Sequence, residues 1–134
     1  MSTASGLSSV IVLVVEDEAF SLRFVSRILQ KIGITSVLEA ENGTDALTVL
    51  EDSENKIDLI ITDIEMPEMD GYELVRRVRY GAVPQYKDIP ILMLTGQDTD
   101  SNVQKARIHK INGYIVKPPK IDQLQMFIEG ALGL

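Results

Sequence analysis

The stretch Ile57-Asp58-Leu59-Ile60-Ile61-Thr62-Asp63-Ile64-Glu65-Met66-Pro67-Glu68-Met69-Asp70-Gly71 decides the fold. An apolar run too short for a helix ends at a carboxylate, and a turn built from proline and Asp-Gly follows. A buried strand therefore delivers Asp63 to an exposed edge. Residues 72–80 then carry a helical pattern.

The same unit repeats on either side. The β-branched run at residues 10–15 reads as a strand buried on both faces and stops at Glu16 and Asp17. Residues 19–31 carry Phe20, Phe24, Ile28 and Leu29 at helical spacing, with Gly33 as a stop just beyond. Residues 36–40 make a second strand, and residues 44–51 a second helix with Ala46, Leu47 and Leu50 behind a cap at 42–44. Downstream, a strand at 91–94 stops at Thr95, a helix covers 100–110, a strand at 114–116 stops at Lys117, and a last helix covers 121–132. Five strand and helix pairs predict an α/β domain, a parallel sheet covered by helices on both faces, because each right-handed crossover returns the chain over the sheet. The connection 81–88, with Pro84, is expected to be a roomy, water-facing loop away from the catalytic edge. Residues 1–9 are expected to form a flexible lead, and residues 10–134 one domain.

Bulk composition agrees with this. The 134 residues suffice for one buried core, and 45% hydrophobic with 25% charged residues is ordinary globular composition. Lys and Arg number 13 against 20 Asp and Glu, and a net charge of -7 disfavours contact with a phosphate backbone. The absence of cysteine excludes disulfides and thiolate metal sites. With no signal-like start and no run long enough to span a bilayer, the expectation is a soluble cytoplasmic protein that neither inserts into membranes nor binds nucleic acid directly.

Strands of a parallel sheet run in one direction, so the residues at their carboxyl ends gather on the edge where open α/β folds bind ligands. Glu16, Asp17 and Asp63 suit a hard, oxygen-seeking cation such as Mg2+, which takes one or two carboxylates, waters and a phosphate. Asp63 is also the best candidate nucleophile, able to form an aspartyl phosphate when a metal screens the incoming charge. Thr95 can donate its hydroxyl to a phosphoryl oxygen, with Gly96 leaving room for approach. Lys117 adds a mobile point charge able to pair with Asp63 and then with the phosphoryl oxygens. Each residue has an ordinary reading by itself: a solvated acidic loop, a turn aspartate, a surface lysine before proline. Their joint order and spacing carry the argument.

The series Glu16-Asp17, Asp63 with Met66-Pro67 and Asp70-Gly71, Thr95-Gly96 and Lys117-Pro118 closely resembles the receiver domain of two-component response regulators, over nearly the whole chain. The resemblance implies a flavodoxin-like, doubly wound sheet of five parallel strands in the order 2-1-3-4-5 with five helices. It implies Asp63 as phosphoacceptor, with Glu16, Asp17, Asp63 and the backbone carbonyl of Glu65 as Mg2+ ligands. Lys117 and Thr95 are then phosphoryl contacts, Thr95 and Tyr114 form the switch, and the Lys117 to Pro118 bond is often cis. Tyr114 read alone is equally an ordinary half-buried strand residue. Pro119 departs from many relatives.

Glu65 and Gln97 lie two residues past Asp63 and Thr95, so they are expected to border the path of attacking water and to tune the lifetime of the phosphorylated form. Solvated loop side chains are the alternative reading. In the last helix Ile121, Leu124, Ile128 and Ala131 form a core stripe, leaving Met126 on the polar side and Phe127 at the margin. With Arg107, Lys110 and Lys120 as a polar rim, this is a candidate partner surface, on which a homodimer is one possibility. His109, the one histidine, is expected to be a surface residue.

The expected function is a phosphorylation-activated signalling module, not a turnover enzyme, that accepts a phosphoryl group from a histidine kinase or phosphotransfer protein and presents a changed surface to a downstream protein. A Mg2+-dependent phosphohydrolase, a receiver excised from a longer hybrid protein, and a binding module that is never phosphorylated are the rival readings.

Overall fold

The computed structural model describes residues 7–52, 54–96 and 110–134. The elements are β1 (Ile11–Val15), α1 (Ala19–Ile32), β2 (Ser36–Ala40), α2 (Gly43–Glu51), β3 (Leu59–Asp63), α3 (Gly71–Arg79), β4 (Ile91–Thr95), β5 (Gly113–Val116) and α4 (Ile121–Leu132). The expected helix over 100–110 lies outside the described residues except at Lys110. All strands are parallel, in the flavodoxin-like order β2-β1-β3-β4-β5.

Successive side chains of a strand point to opposite faces, so a sheet covered on both sides needs apolar residues at every position. β3 and β4 are buried at all their positions, whereas the edge strands β2 and β5 are partly exposed. One face sends Val12, Val14, Ile61, Leu92 and Leu94 against Val25, Leu29, Leu124 and Ile128 of α1 and α4. The other sends Leu13, Val15, Ile60 and Met93 against Ala46, Leu50, Leu74 and Val78 of α2 and α3. Two dry layers thus fix the strand ends in space.

Local chemistry sets the helix limits. The side chains of Asn42 and Asp70 accept from the backbone N–H of Asp45 and Glu73, at 2.8 and 2.9 Å, and so start α2 and α3. Gly33, at a φ of 113°, ends α1 in the left-handed conformation that glycine adopts without a side-chain clash.

Four expectations change. Phe20 and Phe24 are 75% and 39% exposed, and the buried stripe of α1 is Val25, Ile28, Leu29 and Ile32. In α4, Ile121, the first residue of the helix, is exposed and only Leu124 and Ile128 are buried. The loop at 81–88 is mostly exposed, as expected, but it is anchored rather than roomy: Pro84–Tyr86 form a short 3-10 turn, and the buried Tyr86 hydroxyl accepts from Ile57 N–H at 3.1 Å and donates to Asn55 O at 2.9 Å. Within the lead expected to be loose, Leu7 is buried in the core on the α1 and α4 side.

Candidate functional site

The carboxyl ends of β1, β3, β4 and β5 bring Glu16, Asp63, Thr95 and Lys117 together. Glu16 is fully buried, one residue past β1, and Asp63 and Thr95 are the buried last residues of β3 and β4. Lys117 follows β5, half-buried, and its backbone N–H donates to Thr95 O at 2.7 Å. Its Nζ lies 2.8 Å from Glu16 Oε2 and 3.1 Å from Asp63 Oδ1. Asp63 Oδ1 also accepts from Ile64 N–H at 2.9 Å, and Glu16 Oε1 from Glu18 N–H at 3.3 Å. The Lys117 to Pro118 bond is cis.

These contacts explain the charge states. Burial lifts the Glu16 carboxyl above its ordinary range, and the nearby Asp63 charge adds to this against the opposing Lys117 hydrogen bond. Burial alone would lower the Lys117 ammonium, but its hydrogen bonds to Glu16 and Asp63 outweigh that and raise it. Lys117 is therefore held charged between two acids.

The residues fit a hard cation. Carboxylate oxygens of Glu16, Asp17 and Asp63 all lie within 4.8 Å of one another, an all-oxygen set of the kind Mg2+ takes. Asp17 is the exposed member and opens the cluster to water.

Glycine is required beside the acid. A Cβ on Gly71 would stand 2.3 Å from Asp63 O and 2.6 Å from Met93 Cε, while Gly71 N–H donates to Ile64 O at 2.7 Å. The first turn of α3 thus rests directly on the backbone of the aspartate.

Glu65 is exposed in the loop after β3, and Gln97 and Arg107 lie outside the described residues, as does His109. Tyr114 is half-buried on β5 and shares a hydroxyl to hydroxyl hydrogen bond with Tyr72 of α3. On the candidate partner surface Met126 is 62% exposed, and Lys110 and Lys120 are exposed. Phe127 is turned inward, partly buried against the core, because Gly113 leaves room for its ring.

Sequence reasoning missed three features. The Glu16 to Lys117 contact joins residues 101 apart, and only the parallel order could have suggested it. Tyr72 carried no signal beyond its place after Asp70-Gly71. Phe20 and Phe24, expected in the core, instead line a cavity of about 270 Å³ with Val25, Leu94, Lys117 and Pro118. The competing stripe Val25, Leu29 and Ile32 was the available clue.

Residues 12–129 match the model of the response regulator receiver domain. The chain belongs to that family. This receiver is 40% identical over 121 residues to a chemotaxis protein CheY homolog of Campylobacter jejuni, covering 90% of this chain and 91% of that protein. It is 39% identical over 121 residues to chemotaxis protein CheY1 of Helicobacter pylori, covering 90% and 95%. Among solved structures it is similar to CheY4 of Vibrio cholerae, with a TM-score of 0.80, 34% identity, and coverage of 92% of this receiver and 98% of that chain. Among the described residues no helix is long and apolar enough to cross a membrane.

Proposed function

We propose that this receiver is a cytoplasmic, phosphorylation-activated signalling module in which Asp63 accepts a phosphoryl group from a phosphohistidine on a kinase or phosphotransfer protein. The observation that carries the reading is the bridge from Lys117 Nζ to both Glu16 and Asp63 at the strand ends. Ile64 N–H and Lys117 both engage Oδ1, so Oδ2 is the attacking oxygen. Its electron pair forms the new O–P bond as the P–N bond breaks and the imidazole keeps that bond's electrons. Glu16, Asp17 and Asp63, with the Glu65 carbonyl, would hold Mg2+, which supplies charge neutralisation for the transferring group. Lys117 then turns to the phosphoryl oxygens and Thr95 donates its hydroxyl. Glu65 and Gln97 set the access of water, and therefore the lifetime of the phosphorylated form.

The group arrives from a protein, and the cavity lined by Phe20, Phe24 and Pro118 beside Lys117 gives that protein an apolar seat next to the acceptor. Output passes through Thr95 and Tyr114 to the surface around Met126, Lys110 and Lys120, where a downstream protein or a second copy binds. The likeness to chemotaxis proteins favours a pathway of that class. No generic phosphate ester is turned over.

Intact-mass measurement after incubation with magnesium and acetyl phosphate tests this. One phosphoryl adduct on the wild type and none on Asp63→Asn is the expected result. An unmodified wild type under conditions where magnesium binds refutes the assignment.

A further inference from the structure

Tyr72 stands in the first turn of α3, directly after Gly71. That turn cannot drift from the acceptor: Gly71 N–H is bonded to Ile64 O, and its α-carbon lies so close to Asp63 O that no Cβ fits. Across the groove, Tyr114 sits on edge strand β5, opposite Met93 of β4. The two hydroxyls meet in a hydrogen bond between residues 42 apart, and both rings pack against the core layer that contains Leu74 and Met93.

We propose that Tyr72 is a positioning residue for Tyr114: its hydroxyl latches the Tyr114 ring against α3 and thereby ties β5 to the helix start that rests on the acceptor Asp63. A part-buried phenol that has given up water keeps its place only while its partner is there. Burial and the Tyr72 hydrogen bond both raise the pKa of Tyr114, so its proton stays available to the latch. The first turn of α3 thus holds Tyr114 by a route that does not pass through Thr95. That Tyr114 is the switch rests on the proposed function; the latch itself is a property of the unphosphorylated protein and is tested there.

The test uses NMR of the full chain with ring-labelled tyrosines, comparing wild type with Tyr72→Phe, and using Tyr114→Phe to assign the signal. Tyr72→Phe removes one oxygen and keeps the ring, so packing is retained. With a soluble paramagnetic chelate as the probe, relaxation enhancement of the Tyr114 ring is expected to rise several-fold in Tyr72→Phe, while amide signals distant from the pair superimpose on wild type. An unchanged Tyr114 ring in that variant overturns the latch. Acetyl phosphate and magnesium are added only afterwards: failure of the wild type to take up a phosphoryl group counts against Asp63 as acceptor, whereas the ring measurement alone decides the latch.

Discussion

α1 and α3 both begin beside the acidic cluster, on opposite faces of the sheet, and they are built in contrasting ways. α3 is pinned: Asp70 caps it, Gly71 rests on Asp63, and Arg79 near its end donates to the carbonyls of Lys87, Ile89 and Lys110 at 2.8–2.9 Å. Its outer face is charged, with Glu73 bonded to both Arg76 and Arg77. α1 has no side-chain cap, and it exposes Phe20 and Phe24 next to Lys117. One helix is fixed to the backbone of Asp63, and the other leaves two aromatic rings open beside Lys117, which under the proposed function is the approach surface. Exposed apolar residues are ordinary on protein surfaces, so the docking role proposed for Phe20 and Phe24 rests on their place beside Lys117.

The largest effect should come from the buried side of α1. Leu29→Ala is expected to lower stability by about 2–5 kcal/mol, through lost transfer energy and a cavity, as read by chemical denaturation. A loss below about 1 kcal/mol would mean that α1 is not anchored as its burial indicates. On α3, Gly71→Ala forces Asp63 O or Met93 away. It should cost about 1–3 kcal/mol and slow phosphorylation by acetyl phosphate, since the aspartate backbone must shift. A variant with wild-type rate and stability would show that the close contact is dispensable.

Phe20→Asp separates the two helices functionally. Its stability should change by no more than about 0.5 kcal/mol, as for an exposed residue, and acetyl phosphate should still modify Asp63 normally. Transfer from a phosphorylated histidine phosphotransfer protein should slow markedly. Equal rates from both donors would remove the docking role of α1.

The smallest effect belongs to Glu73. Hydrogen bonds from Arg77 and Arg76 hold its carboxyl below the ordinary 4.5. A lowered folded pKa gives stability that is present above the unfolded value and lost as pH falls through the folded one. Glu73→Gln should therefore lower stability slightly at neutral pH and flatten the acid side of the profile, so that variant and wild type converge at low pH. A steeper acid loss in the variant would contradict the sign.

The strands and their four polar ends were legible because an apolar run of strand length and a polar stop are local signals, and the carboxyl-end rule turns them into a site, whereas the sheet order came from the receiver resemblance. The face of α1 was not legible. Phe20, Phe24 and Ile28 fit a helical repeat as well as Val25, Leu29 and Ile32 do, and only docking onto β1 and β4 chooses between them. The contacts of Arg79 and Tyr86 escaped for another reason. Both bind backbone carbonyls, which every residue supplies, so nothing in the partner's identity reveals them.

The ring of Phe127 occupies the space a side chain at position 113 would need, 2.6 Å from where a Cβ would stand. Strand β5 and helix α4 are therefore keyed together like a spline in a slot, and neither slides without the other. Any shift of α4 is thereby shared by the strand that Lys117 directly follows, so the far side of the domain and the acidic site are mechanically one piece.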